Sequence, residues 1–140
     1  MLKKFLNNNK DIGLLLLRVG IGLSFIFTHG GPKLVGGPDL WERVGHAMSN
    51  YGITFLPIFW GTMAMLSEFA GGILVLLGLY TRSASAFMAF TMLTAFIGNL
   101  SRLSPWGNVS HPFEMLAVFL CLLFLGAGKY SLNYLFFKKG

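Results

Sequence analysis

Long apolar runs separated by short polar segments dominate the chain. The runs cover Ile12–Thr28, Ile53–Leu79, Ser83–Leu100 and Pro112–Ala127. A membrane-spanning helix needs about 20 predominantly apolar residues, and lipid excludes exposed backbone that is not helical. The pattern therefore predicts an all-α fold, a polytopic membrane protein that forms an antiparallel four-helix bundle. One domain is expected over residues 1–140, with helices at about 12–29, 53–79, 83–100 and 112–127.

The segment after the first run predicts an outer loop that contains a short helix. The run His29-Gly30-Gly31-Pro32 is expected to end the first helix, because glycine and proline break helices. Within the loop Gly30–Gly52, apolar residues recur at helical spacing over Asp39–Tyr51. We expect a short amphipathic helix here at the membrane interface, with Trp41 and Tyr51 as aromatic anchors.

Composition supports a membrane protein. Hydrophobic residues make up 54% of the chain and charged residues 11%, whereas soluble domains average about 25% charged. The mean hydropathy is +0.65.

The run Ile12–Thr28 is long, contains Arg18 and lacks an obvious cleavage site, so a retained first helix is favoured over a signal peptide.

The net charge of +6 raises the question of nucleic-acid binding, but its distribution argues against such a partner. One side of the predicted bundle carries most of the positive residues, namely Lys3, Lys4, Lys10, Arg82, Lys129, Lys138 and Lys139. The other side carries only Lys33, Arg43 and Arg102. Positive residues mark the cytoplasmic face. This bias predicts a bacterial inner-membrane protein with both termini cytoplasmic and with basic ends that contact anionic lipid headgroups.

Two charged residues interrupt the apolar runs. Arg18 lies in the first run and Glu68 in the second. Ionised side chains persist in a bilayer mainly where they face a bundle interior, pair with each other or serve a site. We expect Arg18 and Glu68 to pair, either as a structural ion pair or as part of a site. Cys121 is the only cysteine, which excludes a disulfide or redox pair within one chain, and it is expected to be a buried, inert thiol.

A second polar cluster is expected above this pair, on the outer side. His29 ends the first predicted helix, and His111 and Glu114 share one face of the fourth. Ordinary headgroup-level polarity is the alternative interpretation. The chain has no close metal-ligand motif such as HExxH, so no metal is expected. We expect Arg18, His29, Glu68, His111 and Glu114 to line one cavity between the first, second and fourth helices.

Several short motifs follow one another along the chain. They are Arg18-Val-Gly20-Ile-Gly22, Phe25-Ile-Phe27, His29-Gly30, Lys33-Leu34, Glu68-Phe-Ala-Gly71-Gly72, Gly78-Leu-Tyr-Thr81-Arg82, His111-Pro112-Phe113-Glu114 and Gly126-Ala-Gly128-Lys-Tyr130-Ser131-Leu132. Their order and spacing resemble the DoxX family of small four-helix membrane proteins. The resemblance covers about residues 12–134 and departs from many relatives at Asn133, where they carry aspartate.

The resemblance implies redox chemistry at the membrane. Some relatives are linked to thiosulfate:quinone oxidoreductase, others to quinone or catechol stress, and others to a complex with superoxide dismutase and a thiol oxidoreductase. This chain has no redox metal motif or cysteine pair. If it takes part in electron transfer, a quinone or a soluble or peripheral partner enzyme must carry the electrons.

The leading functional hypothesis is therefore a quinone-binding subunit of a membrane oxidoreductase. The candidate catalytic residues are Arg18, Glu68, His111 and Glu114, and the candidate quinone-binding residues are Arg18, His29, Glu68 and His111. Arg18 would hydrogen-bond a quinone carbonyl or a substrate anion, and Glu68 would orient Arg18 or pass protons. His111 and Glu114 would connect the site to the outer face. The alternatives are a non-catalytic scaffold or lipid-binding protein, and a small-solute transporter. The sequence leaves homo-oligomerisation open.

Overall fold

The computed structural model describes residues 1–138, apart from the side chains of Phe5, Asn7 and Asn8. Lys139, part of the predicted basic tail, lies outside the described residues. The helices are α1 (Leu2–Asn8), α2 (Lys10–Ser24), a π-helical turn (Phe25–Gly30), α3 (Gly31–Gly45), a 3₁₀ segment (His46–Tyr51), α4 (Pro57–Leu77), α5 (Thr81–Ser101), α6 (Trp106–Leu125) and α7 (Leu132–Phe137).

Within the described residues, four helical segments are long and apolar enough to cross a membrane. They are Lys10–Tyr51, α4, α5 and α6. No strand occurs in the described part of the chain. The predicted all-α polytopic bundle is confirmed.

The first span does not end where the sequence predicts. The chain continues without interruption from α2 through the π-helical turn into α3, so the expected break at Gly30–Pro32 is wrong. Pro32 lies in the first turn of α3, where its missing N–H is tolerated. Gly30 serves close packing instead, because a Cβ there would overlap the backbone of Phe69 in α4. The kink comes later, at Gly37 (φ 73°, ψ −170°).

The segment beyond this kink is helical, as predicted, until Gly52 (φ 77°) ends it. It packs tightly against the start of α4. A Cβ on Gly45 would overlap the Pro57 carbonyl, and a Cβ on Gly61 would overlap the Trp41 carbonyl. The Trp41 indole Nε1–H also donates a hydrogen bond across the kink to the Lys33 carbonyl oxygen, at 2.7 Å. These contacts hold the second half of the first span along α4.

The last span begins earlier than predicted, at Trp106, and contains Pro112 in its interior. Proline cannot donate to the carbonyl four residues before it, which here belongs to Asn108. The side-chain amide of Asn99, near the end of α5, donates to that carbonyl oxygen at 2.8 Å. This bond explains how the helix tolerates Pro112, and it connects α5 with α6.

The core lies where α2, α4, α5 and α6 meet. Phe25, Val75, Met88, Phe119 and Leu122 are all completely buried there. Cys121 precedes Leu122 and is exposed on the outside of the bundle, so the prediction of a buried thiol is wrong. Adjacent helix residues point in directions about 100° apart, and Leu122 takes the core-facing position.

Candidate functional site

Arg18 is completely buried and binds backbone carbonyls rather than Glu68. Its Nη1 donates to the Val75 and Leu76 carbonyl oxygens, each at 3.3 Å. Its Nη2 donates to the Tyr130 carbonyl oxygen. Val75 and Leu76 lie in the last turn of α4, where the helix dipole favours a cation, and the Val75 carbonyl oxygen also accepts the Gly78 backbone N–H at 3.1 Å. Arg18 therefore joins α2 to the end of α4 and to the segment after α6.

The predicted Arg18–Glu68 pair is wrong because the two residues lie at different depths. The first span runs antiparallel to α4, which places Arg18 beside Val75. Glu68 lies seven residues earlier in α4, about 10 Å away along the axis at 1.5 Å per residue. At that level it faces the π-helical turn and the start of α3.

Glu68 instead pairs with Lys33, which α3 presents. The Lys33 Nζ lies 2.5 Å from the Glu68 Oε2. The glutamate side chain is 2% exposed and the lysine side chain 25%. The ion pair neutralises the carboxylate inside the second span and leaves the lysine open on one side.

That open side faces a groove between α3, α4 and α5. The groove has a volume of about 580 Å³, and both Lys33 and Glu68 line it. Most of the remaining lining is apolar, including Met48, Met63 and Leu74. The groove is partly open, so a ligand can enter from the side.

Aromatic rings and three hydroxyls complete the groove. Its aromatic lining residues are Phe59, Trp60, Phe87 and Phe90. The rings of Phe87 and Phe90 are 70% and 51% exposed and lie on a membrane span, so they face lipid. Ser67 and Thr91 connect α4 with α5 through a hydroxyl hydrogen bond of 2.9 Å. Thr94 is the third hydroxyl, and it pairs with Tyr51 at 3.1 Å. The groove is thus mostly apolar, and its charged side chains are those of the Lys33–Glu68 ion pair.

The two histidines come together elsewhere in the bundle. The ring centroids of His29 and His111 are 4.7 Å apart and the rings are nearly parallel. Phe25 packs against His29 at 4.8 Å. The described residues contain no group of three or more His, Cys, Asp or Glu side chains placed to hold a metal ion. The stacked rings of His29 and His111 connect the first span with α6 at a place outside the groove.

The five side chains expected in one cavity are therefore distributed over separate places. Glu68 lines the groove, Arg18 caps α4, and His29 stacks on His111. Glu114 is exposed on α6. The cavity lies between α3, α4 and α5, not between the first, second and fourth spans as predicted. The catalytic and binding roles assigned to these residues stay predictions.

Sequence analysis missed Lys33 as the partner of Glu68. It placed Lys33 beyond the end of the first helix, whereas the helix continues through Pro32. The sequence contained one signal for an inward-facing Lys33. It follows His29 by four residues, so a helix that continued past Pro32 would place Lys33 on the same face as His29.

Comparisons with known proteins agree with this architecture. The DoxX family profile matches residues 13–99. "Inner membrane protein YqjF" of Escherichia coli (strain K12) is 33% identical over 93% of this chain and 96% of its own length. "Putative oxidoreductase CatD" of Bacillus subtilis (strain 168) is 30% identical over 95% of this chain and 93% of its own length. No solved structure gives a significant match. The chain is a multi-pass membrane protein that belongs to the DoxX family.

Proposed function

We propose that the protein binds a lipid-soluble quinone in the groove between α3, α4 and α5, as the membrane subunit of an inner-membrane oxidoreductase. The observation that carries this proposal is the joining of an apolar slot to one buried ion pair, Lys33–Glu68. Ligand sites are typically about 300–1,000 Å³, mostly apolar, with a few polar groups that fix orientation. A groove of about 580 Å³ lies within that range.

The groove matches the chemistry of a quinone. Its ring is flat and apolar with carbonyl oxygens that accept hydrogen bonds, and its isoprenoid tail is soluble in lipid. Lys33 donates a hydrogen bond to one carbonyl oxygen, and Glu68 holds Lys33 in place. The aromatic rings of Trp60, Phe87 and Phe90 pack against the ring or the tail.

A bound quinone accepts two electrons and two protons to become a quinol. The chain has one cysteine, so it provides no dithiol as the electron donor. A soluble or peripheral redox enzyme supplies the electrons. Lys33 and Glu68 are the groove's ionisable pair, and Lys33 would pass one proton to the ring oxygen that it binds, with Glu68 stabilising its charged form. The other ring oxygen would take its proton from water. The name of the Bacillus subtilis relative, "Putative oxidoreductase CatD", supports this assignment.

Quinone binding can be measured through Trp60, whose indole lines the groove. A ubiquinone with one isoprene unit, added to the full-length protein in mild detergent, should quench tryptophan fluorescence saturably. Trp60→Phe should remove most of the saturable quenching. Lys33→Gln should weaken binding about tenfold, as expected when a charged hydrogen bond is lost.

Arg43→Gln is the matched control for Lys33→Gln. Arg43 is an exposed cation of α3 that does not line the groove, and its loss should leave the affinity unchanged. Organic extraction and mass spectrometry of the purified protein should also recover a quinone. Recovery of phospholipid alone, with quenching that does not saturate, would reject the quinone and favour the lipid-binding alternative.

A further inference from the structure

The groove between α3, α4 and α5 has a second polar position beside the Lys33–Glu68 ion pair. Ser67 of α4 and Thr91 of α5 both line the groove, and their hydroxyl oxygens lie 2.9 Å apart. These two residues are here called the hydroxyl pair. Ser67 directly precedes Glu68, so the two lie at nearly the same depth and leave α4 about 100° apart. The ion pair and the hydroxyl pair therefore reach the groove from different directions at one level.

The other polar side chains that line the groove already use their hydrogen atoms. Among the described lining residues, Trp60 donates its indole N–H to the Phe55 carbonyl oxygen at 3.0 Å. The Thr94 hydroxyl donates to the Phe90 carbonyl oxygen at 3.0 Å, so it accepts from the Tyr51 hydroxyl at 3.1 Å. Apart from the ion pair, a side-chain donor for a ligand must therefore come from the hydroxyl pair.

The hydroxyl pair has two hydrogen atoms and two ways to arrange them. The Thr91 Oγ1 is in reach of the Ser67 Oγ and of the Phe87 carbonyl oxygen, the latter at 3.0 Å, but it has one hydrogen to donate. When Thr91 donates to Ser67, the Ser67 hydrogen is free to point into the groove. When Thr91 donates to Phe87, Ser67 donates to Thr91 and presents only lone pairs to the groove. The pair can thus serve a ligand as a donor or as an acceptor.

We propose that the hydroxyl pair binds the second ring oxygen of the quinone, the one that Lys33 does not bind, in both oxidation states. This inference rests on the proposed function of the groove. In the first arrangement Ser67 donates to the quinone carbonyl oxygen. In the second arrangement Ser67 accepts from the quinol hydroxyl. A ligand with two ring oxygens is then held at both, which fixes the ring in the groove.

Reduction of the bound quinone changes the direction of this hydrogen bond without removing a proton from the pair. The ring takes two electrons from the partner enzyme, one proton from Lys33 and one from water. The Thr91 hydrogen then turns from Ser67 to the Phe87 carbonyl oxygen, and the Ser67 hydrogen turns to Thr91. Because both hydroxyls keep their protons, the pair is ready for the next quinone once the quinol leaves.

Ser67→Ala tests the contact itself, in the full-length protein in mild detergent. Tryptophan quenching by the ubiquinone with one isoprene unit gives the affinity for the quinone, and anaerobic isothermal titration calorimetry gives that for its quinol. Both affinities should fall about fivefold, as expected when a neutral hydrogen bond is lost. Ser101→Ala is the matched control, because it removes a serine hydroxyl at the end of α5 that does not line the groove. It should leave both affinities unchanged.

Thr91→Val tests the two arrangements. Ser67 keeps its hydrogen for the quinone in this variant but has lost the Thr91 oxygen that accepts this hydrogen in the quinol state. The affinity for the quinol should fall about fivefold, and that for the quinone less than twofold. Thr62→Val is the matched control, since the Thr62 hydroxyl bonds the Ile58 carbonyl oxygen and does not line the groove. Equal losses for quinone and quinol in Thr91→Val would contradict the change of direction.

Infrared spectroscopy reports on each ring oxygen separately. Carbon-13 at one carbonyl position of the ubiquinone separates the two C=O stretching bands. Each band should lie below its unbound frequency, because a hydrogen bond to the oxygen weakens the C=O bond. Ser67→Ala should return one band to its unbound frequency, and Lys33→Gln should return the other.

Failure of this inference is distinguishable from failure of the proposed function. Quenching that does not saturate in the parent protein would reject the quinone, and this inference with it. Saturable quenching that Lys33→Gln weakens and Ser67→Ala leaves unchanged would overturn this inference alone. A return of the same carbonyl band in both variants would overturn it too, because both groups would then bind one oxygen.

Discussion

Lys33 and Glu68 form an ion pair across the interface between α3 and α4, with Nζ and Oε2 2.5 Å apart. The acid of the second span is thus neutralised by a residue that follows Pro32 in the chain. The pairing requires that the first span stay helical beyond its glycines. It also places one charged position at an otherwise apolar groove.

Glu68→Gln should destabilise the protein, because it leaves the Lys33 ammonium in an apolar site. Removing one partner of a buried pair costs about 3–5 kcal/mol, and the partial exposure of Lys33 places this case near the lower value. Thermal unfolding in detergent measures the loss. Glu42→Gln is the matched control, because it makes the same substitution at an exposed position of α3. It should have little effect on thermal stability.

Double-mutant cycles distinguish the two candidate partners of Glu68. Lys33→Met and Glu68→Gln should show coupling, whereas Arg18→Gln and Glu68→Gln should be additive within about 0.5 kcal/mol. Coupling in the second cycle alone would restore the pairing that the sequence predicted.

Arg18→Lys should lower stability almost as much as Arg18→Gln. The guanidinium reaches three carbonyls in two segments, and a single ammonium on a flexible stem cannot match that fork. The loss should be at least about 2 kcal/mol, because hydrogen bonds to charged groups contribute about 1.5–3 kcal/mol. Full rescue by lysine in a thermal melt would contradict this role.

Gly61→Ala should be strongly destabilising, because its Cβ would overlap the Trp41 backbone. Overpacking typically costs about 1–3 kcal/mol, and a backbone neighbour cannot give way as a side chain does. Gly20→Ala is the matched control, since a Cβ there meets nothing within 4 Å. It should be neutral or slightly stabilising through helix propensity. Denaturation of both variants in the same detergent gives the comparison.

Asn99→Leu should cost about 1 kcal/mol, because it leaves the Asn108 carbonyl without its donor. Pro112→Ala restores a backbone N–H to that carbonyl. The loss caused by Asn99→Leu should therefore shrink when Pro112→Ala is also present. Equal losses in both backgrounds would show that the amide does not compensate for the proline.

The orientation of the bundle stays a prediction of the charge bias. Single cysteines at Gly107 and Lys129, in a Cys121→Ser background, can be tested with a membrane-impermeant maleimide. Gly107→Cys should be labelled from outside the cell, and Lys129→Cys only after the membrane is opened. The reverse pattern would place the end that carries Lys129 outside.

The spans could be predicted from the sequence because their cause is local. Twenty apolar residues in lipid have almost no alternative to a helix, so Pro57–Leu77 and Thr81–Ser101 lie close to the predicted positions. The start of the last span was harder to predict. Pro112 is tolerated there through Asn99, which lies in another helix.

The candidate site was less predictable because it depends on register. The sequence identifies Arg18 and Glu68 as buried charges, and both are buried. Which partner each one meets depends on how far α2 and α3 are displaced along α4, and a shift of about two turns would place Arg18 beside Glu68. The close contacts of Gly30 and Gly61 fix that displacement, and no local pattern reports them.

The bonds of Arg18 also constrain the order in which the protein assembles during synthesis. Its acceptors lie 57, 58 and 112 residues further along the chain. The first span must therefore enter the bilayer with its guanidinium unmatched, at a cost of about 2.5–3.5 kcal/mol on insertion scales. The free-energy cost falls once the Val75 and Leu76 carbonyls at the end of α4 bind Arg18. It falls again once the Tyr130 carbonyl does. A nascent chain that ends before Tyr130 lacks one acceptor of Arg18, so the segment after α6 completes the hydrogen bonds of the first span.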